Sequence, residues 1–174
     1  MRTIRVLVDK VYSDPHLEAE KQLAIIVAIR KQLAGGIVPP IETLQKETSL
    51  IDFVLKACQR LVDFPTLSQE ACQGDLMLEM HYYLILEILW ILTNISADSD
   101  EQLLDAILFR DEEDEDGPLM LEFIKTFMKS SDPKLKSSLV WFLGNIAAHE
   151  AIAKVLVESC SFLPWLIELG QQST

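Results

Sequence analysis

The chain has 174 residues, of which 49% are hydrophobic and 24% charged, and its formal net charge is −12. A chain of this size and composition is predicted to fold as one globular domain with its own core. The negative charge is concentrated in residues 88–174, which carry 15 Asp and Glu against six Lys and Arg. Such a surface repels nucleic-acid phosphates and anionic lipids, so we expect basic partners and neither direct nucleic-acid nor membrane binding.

The cysteines and histidines show no spacing typical of a metal site or of paired cysteines. Cys58, Cys72 and Cys160 form no CxxC pair, and the histidines form neither HxxxH nor HExxH. The opening MRTIRVLVDK lacks the apolar core of a signal peptide, and the chain has no GxSxG motif or phosphate-binding glycine loop. We therefore expect a non-enzymatic protein of the cytoplasm and nucleus, without cofactor or metal.

Residues 1–17 form an N-terminal segment of unassigned structure, in which Ile4 to Val8 is a candidate strand in too weak a context to assign. From Glu18 onward apolar residues recur at helical spacing, and glycine, proline and acidic breaks separate the periodic stretches. The predicted class is therefore all-α. The predicted helices run from Glu18 to Ala34, Ile41 to Lys46, Leu50 to Val62, Asp75 to Ile95, Glu101 to Leu108, Leu119 to Met128, Lys134 to Ala148, Glu150 to Glu158 and Leu163 to Leu169.

The stretch from Leu76 to Ile95 imitates a membrane span, because it has the necessary length of about 20 mostly apolar residues. Glu79, Glu87 and Asn94 interrupt it, and a carboxylate near the centre of a span costs about 2.5 to 3.5 kcal/mol on insertion scales. We predict instead a helix that neighbouring helices bury on most sides.

Two segments of the chain repeat one pattern. ILWILTNIS, from Ile88 to Ser96, returns as LVWFLGNIA, from Leu139 to Ala147, and each places Asn four residues after Trp. Trp90 and Trp141 are 51 positions apart. Armadillo and HEAT repeats run about 40 to 47 residues, and an acidic insertion at residues 110–117 accounts for the excess. The pattern predicts a helical-repeat protein.

Both segments resemble the third helix of armadillo repeats in the importin-alpha family of nuclear-import adaptors. The similarity is carried by ILWILTNISADSDEQ and LVWFLGNIAAHEA, and Ala28 to Leu55 resembles the family's first repeat. The resemblance implies a right-handed armadillo-type α-solenoid of about three to four repeats over residues 18–174. It also implies that an extended basic, nuclear-localisation-like segment binds the concave face, with Trp90, Asn94, Trp141 and Asn145 in the ladder positions.

The Trp and Asn pairs have a physical interpretation of their own. Residues four apart lie on one helical face, so stacked helices would present a row of Trp and a row of Asn. Asn amides can bond a peptide backbone, and slots between indoles can hold the aliphatic stem of Lys or Arg. The alternative interpretation makes the Trp residues part of the core and lets each Asn tie its helix to a neighbouring segment.

Four further residues modify this site. Glu87 lies one turn before Trp90 and is expected to meet a cation, whereas its counterpart before Trp141 is the uncharged Ser138. By the resemblance, Asp98 stands where the family has glycine, and His149 stands where it has the acid that accepts the principal lysine. The lysine pocket is therefore expected to be altered and weak, with Asp98 as a partial replacement.

The acidic insertion and the C-terminal end leave two alternatives open. The insertion is either a solvated loop that aids solubility or a salt-sensitive clamp for a basic partner, which would make the protein a chaperone. The other alternative is a structural scaffold subunit with a degenerate groove, paired through an apolar solenoid end. The acids of the insertion are Asp111, Glu112, Glu113, Asp114, Glu115 and Asp116, and the candidate end residues are Phe162, Leu163, Trp165 and Leu166.

Overall fold

The computed structural model describes residues 2–13, 19–34, 50–62, 68–98, 101–109 and 119–172. The regular elements within these residues are all α-helices, so the predicted all-α class is confirmed. In chain order they are α1 (Arg2–Ser13), α2 (Ala19–Leu33), α3 (Leu50–Leu61), α4 (Leu76–Asp98), α5 (Glu101–Leu108), α6 (Leu119–Met128), α7 (Pro133–Ile146), α8 (Glu150–Cys160) and α9 (Phe162–Gln172).

Residues 2–13 of the N-terminal segment are helical, so a strand at Ile4 to Val8 would have been wrong. These residues lie inside α1, which buries Ile4 and Val8 and exposes Val6. Residues four apart share a helical face, and α1 packs that face against α2 and α3. Tertiary packing therefore overrides the β-propensity of this run, and α1 joins the core.

The ends of the described helices follow local capping chemistry. Asp132 is the N-cap of α7 and accepts hydrogen bonds from the backbone N–H groups of Lys134 and Leu135, with Pro133 in the first helical position. The sequence Ser131-Asp132-Pro133 is thus a local signal for the start of this helix. Ser161 ends α8 in the left-handed conformation, at φ 54°. The helix predicted from Ile41 to Lys46 lies outside the described residues.

The helices pack in two rows. In one row α2, α4 and α7 lie side by side in that order, and in the other α1, α3, α6 and α8 do the same. Each helix of the first row also packs on the helix that precedes it in the chain. This gives three helical pairs: α1 with α2, α3 with α4, and α6 with α7. The same arrangement therefore recurs along the chain, with each helical pair packed on the next through equivalent helices.

Helix α4 lies at the centre of these contacts. Its segment Leu76–Ala97 is long and apolar enough to cross a membrane by length and composition. It packs on α2, α3 and α7, and fully buries large side chains such as Tyr82, Ile85 and Leu89. A helix enclosed by neighbours on several sides needs apolar residues around most of its circumference. These packing partners account for the buried part of the apolar surface of α4, while Leu76, Met77, Tyr83 and Trp90 are exposed.

The C-terminal end is less exposed than the sequence suggests. Phe162 is buried, so the prediction that it forms part of an exposed end is wrong. Trp165 and Leu166 are partly buried against the core, and the indole N–H of Trp165 donates a 2.8 Å hydrogen bond to the carbonyl of Met128. Leu163 is exposed, as expected.

Candidate functional site

Two tryptophans meet on the surface between α4 and α7. Trp90 is 45% exposed and Trp141 is 63% exposed, an unusual degree for so large an apolar side chain. Their ring centroids are 6.0 Å apart, with 47° between the ring planes. The repeated sequence motif therefore brings its two indoles into one exposed aromatic pair.

The ring spacing changes the expected binding mode. A methylene stem stacked between two rings needs about 7 to 8 Å, because each carbon contact takes about 3.5 to 4.0 Å. The expected slot between the indoles is therefore closed, because packing of α4 on α7 brings the rings together. The outer faces of Trp90 and Trp141 remain as the surfaces that a ligand can cover.

Two small clefts adjoin the aromatic pair. One has a volume of about 210 Å³ and is lined by the edges of the two indoles together with Thr93, Ser137 and Ser138. The other, of about 350 Å³, shares Trp90, Ser137 and Ser138. It is completed by Leu86, Pro133 and Lys134. Ser138 thus belongs to the site, and neither cleft has a carboxylate among its described lining residues.

The two ladder asparagines differ in what they bond. The side-chain amide of Asn145, on α7, donates to the carbonyl of Thr93 at 3.0 Å and to the hydroxyl of Ser96 at 3.3 Å, both on α4. The amide of Asn94 donates to the carbonyl of Trp90 at 2.8 Å, within its own helix. Asn145 therefore ties two helices together, as in the alternative interpretation, while Asn94 lies beside the aromatic pair.

Glu87 is engaged within the chain. Its carboxylate forms an ion pair with the guanidinium of Arg30 on α2, and both side chains are mostly buried. The cation that Glu87 meets is therefore Arg30, and a ligand cation would have to compete with it. Partly buried pairs are costly to break, because the remaining charge loses its partner in a place with little water.

Among the remaining predicted residues, His149 is the one whose side chain the structure describes. His149 is the half-buried N-cap residue of α8 and makes no side-chain capping bond. It lines neither cleft beside the tryptophans. The side chain of Asp98, at the end of α4, and the acidic run from Asp111 to Asp116 lie outside the described part of the chain.

Tyr83 lies on the same face of α4 as Trp90. The sequence pattern did not identify it as a site residue. It precedes Trp90 by seven residues, or two helical turns, and is 43% exposed. Its ring contacts that of the buried Tyr82 edge to face, with centroids 5.5 Å apart. The seven-residue spacing is visible in the sequence, but only the structure shows which face of this apolar helix is exposed.

Below the site, a buried carboxylate joins three parts of the chain. Asp132 accepts hydrogen bonds from the Tyr82 hydroxyl and the backbone N–H groups of Gln69, Lys134 and Leu135, at 2.9 to 3.1 Å. Burial alone would raise the pKa of this carboxyl group, but the four hydrogen bonds favour the ionised form and lower it overall. Burial and the neighbouring Asp132 raise the pKa of Tyr82.

The described residues offer little to covalent or metal chemistry. Burial raises the pKa of the Cys58 thiol, which disfavours the nucleophilic thiolate. Burial and nearby carboxylates raise the pKa of Cys72. Among the described residues, no group of three or more His, Cys, Asp or Glu side chains is placed to hold a metal ion. What the site presents is an aromatic surface with hydroxyls and one amide beside it.

The described fold places the chain in the broad class of all-α proteins. Comparison with known protein families, curated proteins and solved structures finds no match. The resemblance to importin-alpha therefore stays a prediction from the two Trp and Asn segments.

Proposed function

We propose that the protein is a non-enzymatic binding module that holds an extended basic segment across the exposed pair Trp90 and Trp141. The observation that carries this proposal is the exposure of two contacting indoles on adjacent, equivalent helices. Exposed tryptophans are rare on monomer surfaces and are enriched where partners bind. The proposed ligand is a nuclear-localisation-like sequence, in keeping with the importin-alpha resemblance, and the proposed location is the cytoplasm and nucleus.

The architecture that we propose is an armadillo-type α-solenoid of about three to four right-handed repeats. The two rows of helices support it, because each pair packs on the next through equivalent helices, as in a solenoid. The contact between α4 and α7 supports this architecture further. These helices carry the two copies of the repeated motif, and they pack side by side.

The proposed recognition rests on ring faces and on charge. Lys or Arg stems cover the outer faces of the indoles, with the cations near the rings, and the amide of Asn94 bonds the peptide backbone. The net charge of −12 attracts a basic segment from a distance and repels nucleic acid and anionic membranes. Because no acid lines the two clefts among the described residues, we expect a modest preference for Lys over Gln rather than a strict requirement.

A second candidate function is a structural scaffold subunit with a degenerate groove. Two observations favour it: Asn145 is committed to α4, and Glu87 is paired with Arg30. In this alternative the aromatic pair is covered by a folded partner or by a second copy of the chain. A chaperone for a basic protein is a variant of the first candidate, in which the acidic run supplies the binding.

A calorimetric titration at low salt tests the proposal. A lysine-rich peptide should bind, and Trp141→Ala should weaken binding by about 1 to 3 kcal/mol, which is typical for loss of an aromatic anchor. Trp90→Ala should act in the same direction. Ile167→Ala is the matched control, since Ile167 is also 63% exposed but lies on α9. The control should bind as the wild type does.

The same titration separates the candidates. If the wild-type protein binds no basic peptide at low salt, the proposed function fails. A scaffold subunit would instead self-associate or hold one defined folded partner. Analytical ultracentrifugation would then show that Trp141→Ala abolishes the assembly. Addition of a basic peptide would leave the assembly of the wild type unchanged.

A further inference from the structure

A third cleft, of about 530 Å³, lies between α6, α7 and α9. It shares no lining residue with the clefts beside Trp90 and Trp141. Its volume falls in the range of small-molecule sites, which is about 300 to 1,000 Å³. The cleft is therefore a candidate ligand site separate from the proposed peptide face.

The charge of its lining is opposite to that of the chain. Lys125, Lys129 and Lys136 all line the cleft, against the single carboxylate of Glu168. These lysines are half of the six basic residues in residues 88–174, a region that carries 15 acids. Basic residues are scarce in this half of the chain, and three of them line this one cleft.

The local structure holds these groups around the cavity. Lys125 and Lys129 are four residues apart and so share one face of α6, while Lys136 reaches the cleft from α7. Trp165 forms part of the wall, and its indole N–H bond to the carbonyl of Met128 fixes α9 against the end of α6. Like charges held on one helical face repel each other, and a bound anion would relieve that repulsion.

We propose that this cleft binds a small anion bearing clustered phosphate groups. Lysine ammonium groups bind phosphate oxygens as point charges, and Lys125 and Lys129, on one face of α6, can meet two negative charges of such a ligand. The hydroxyl of Ser161, where α8 ends, supplies a further donor at the cleft. The volume of about 530 Å³ suits a small ligand. The site is independent of the peptide face, so either proposal can fail without the other.

Isothermal titration calorimetry with inorganic pyrophosphate tests this site at a low ionic strength of about 20 mM, where screening is weak. The wild-type chain should bind, and Lys125→Gln combined with Lys129→Gln should weaken binding about tenfold or more. Lys31→Gln is the matched control, because Lys31 is exposed on α2 and does not line the cleft. Glu168→Gln should instead tighten binding about threefold, since it removes the opposing charge.

Three results would overturn the assignment. They are no pyrophosphate binding by the wild type, binding that the double lysine variant leaves unchanged, and tighter binding of a hexaglutamate peptide than of pyrophosphate. Lys125 and Lys129 are exposed, so the variants should fold, and thermal melting followed by circular dichroism confirms this alongside each titration.

Discussion

The carboxylate of Asp132 accepts hydrogen bonds from the turn at Gln69, from the Tyr82 hydroxyl on α4 and from two N–H groups at the start of α7. It is also almost fully buried. Removing this acceptor would leave the buried Tyr82 hydroxyl and the buried N–H of Leu135 unpaired, and each unpaired buried group is costly. One side chain thus holds together the helices that carry the aromatic pair.

We expect Asp132→Ala to lower the free energy of unfolding by about 3 kcal/mol, through loss of the helix cap and of the buried hydrogen bonds. Tyr82→Phe removes one of the four bonds and should cost about 1 kcal/mol. Urea denaturation at pH 7 measures both values. Equal effects of the two substitutions would contradict a shared role for the four bonds.

The same carboxylate should make stability depend on pH. Its pKa is lowered in the folded protein, so its contribution is fully present above the unfolded pKa of about 3.9. The contribution is lost as the pH falls through the lower folded pKa. The stability difference between the wild type and Asp132→Ala should therefore be constant near neutral pH and shrink below about pH 4. A difference that grows in acid would contradict this assignment.

Among the helices, the row formed by α2, α4 and α7 is joined by one polar link at each step. Arg30 pairs with Glu87 between α2 and α4, and Asn145 bonds Thr93 and Ser96 between α7 and α4. Apolar packing is not directional, whereas these polar contacts are satisfied only in one register. The links therefore fix how the helices are rotated and which side chains, including both indoles, face the surface.

The two asparagines of the repeated motif should differ when substituted. Asn145→Ala breaks bonds between helices and should lower the free energy of unfolding by about 1 kcal/mol, whereas Asn94→Ala breaks a bond within one helix and should change it little. Peptide affinity should respond more strongly to Asn94→Ala. Chemical denaturation and the peptide titration, run on both variants, measure this contrast. A larger loss of stability for Asn94→Ala would contradict the assignment.

The positions of most helices were predictable from the sequence, because helical periodicity and capping depend on residues close together in the chain. The cap at Asp132 and the extent of most helices follow from residues within one or two turns. The Glu87 and Arg30 pair spans 57 positions, and the bond of Asn145 to Thr93 spans 52. Such contacts depend on how helices pack, and no local pattern encodes them. For the same reason the sequence could place Trp90 and Trp141 on similar faces, but not show that their rings touch.

For the whole molecule, the dominant property is a formal net charge of −12 on a chain with a continuous apolar core. Like charges on a compact protein repel one another, and salt screens this repulsion over about 8 to 10 Å at ordinary ionic strength. The same field would attract the basic segment that we propose as the ligand. The net negative charge therefore lowers the stability of the fold and favours binding of the proposed ligand. Salt should weaken both effects.

Replacing the acids of the run from Asp111 to Asp116 by Asn and Gln tests whether the aromatic pair or the acidic run recognises the basic peptide. The change removes six negative charges and so halves the net charge. If the aromatic pair carries recognition, the neutralised variant should bind a basic peptide more slowly and with a smaller salt dependence, while Trp141→Ala still weakens the remaining affinity by a similar factor. If the run itself is the clamp of a chaperone, neutralisation should abolish binding and Trp141→Ala should have little effect. Stopped-flow association rates at two salt concentrations, measured for the wild type and both variants, distinguish the two mechanisms, since steering acts on the association rate and aromatic contact acts on dissociation.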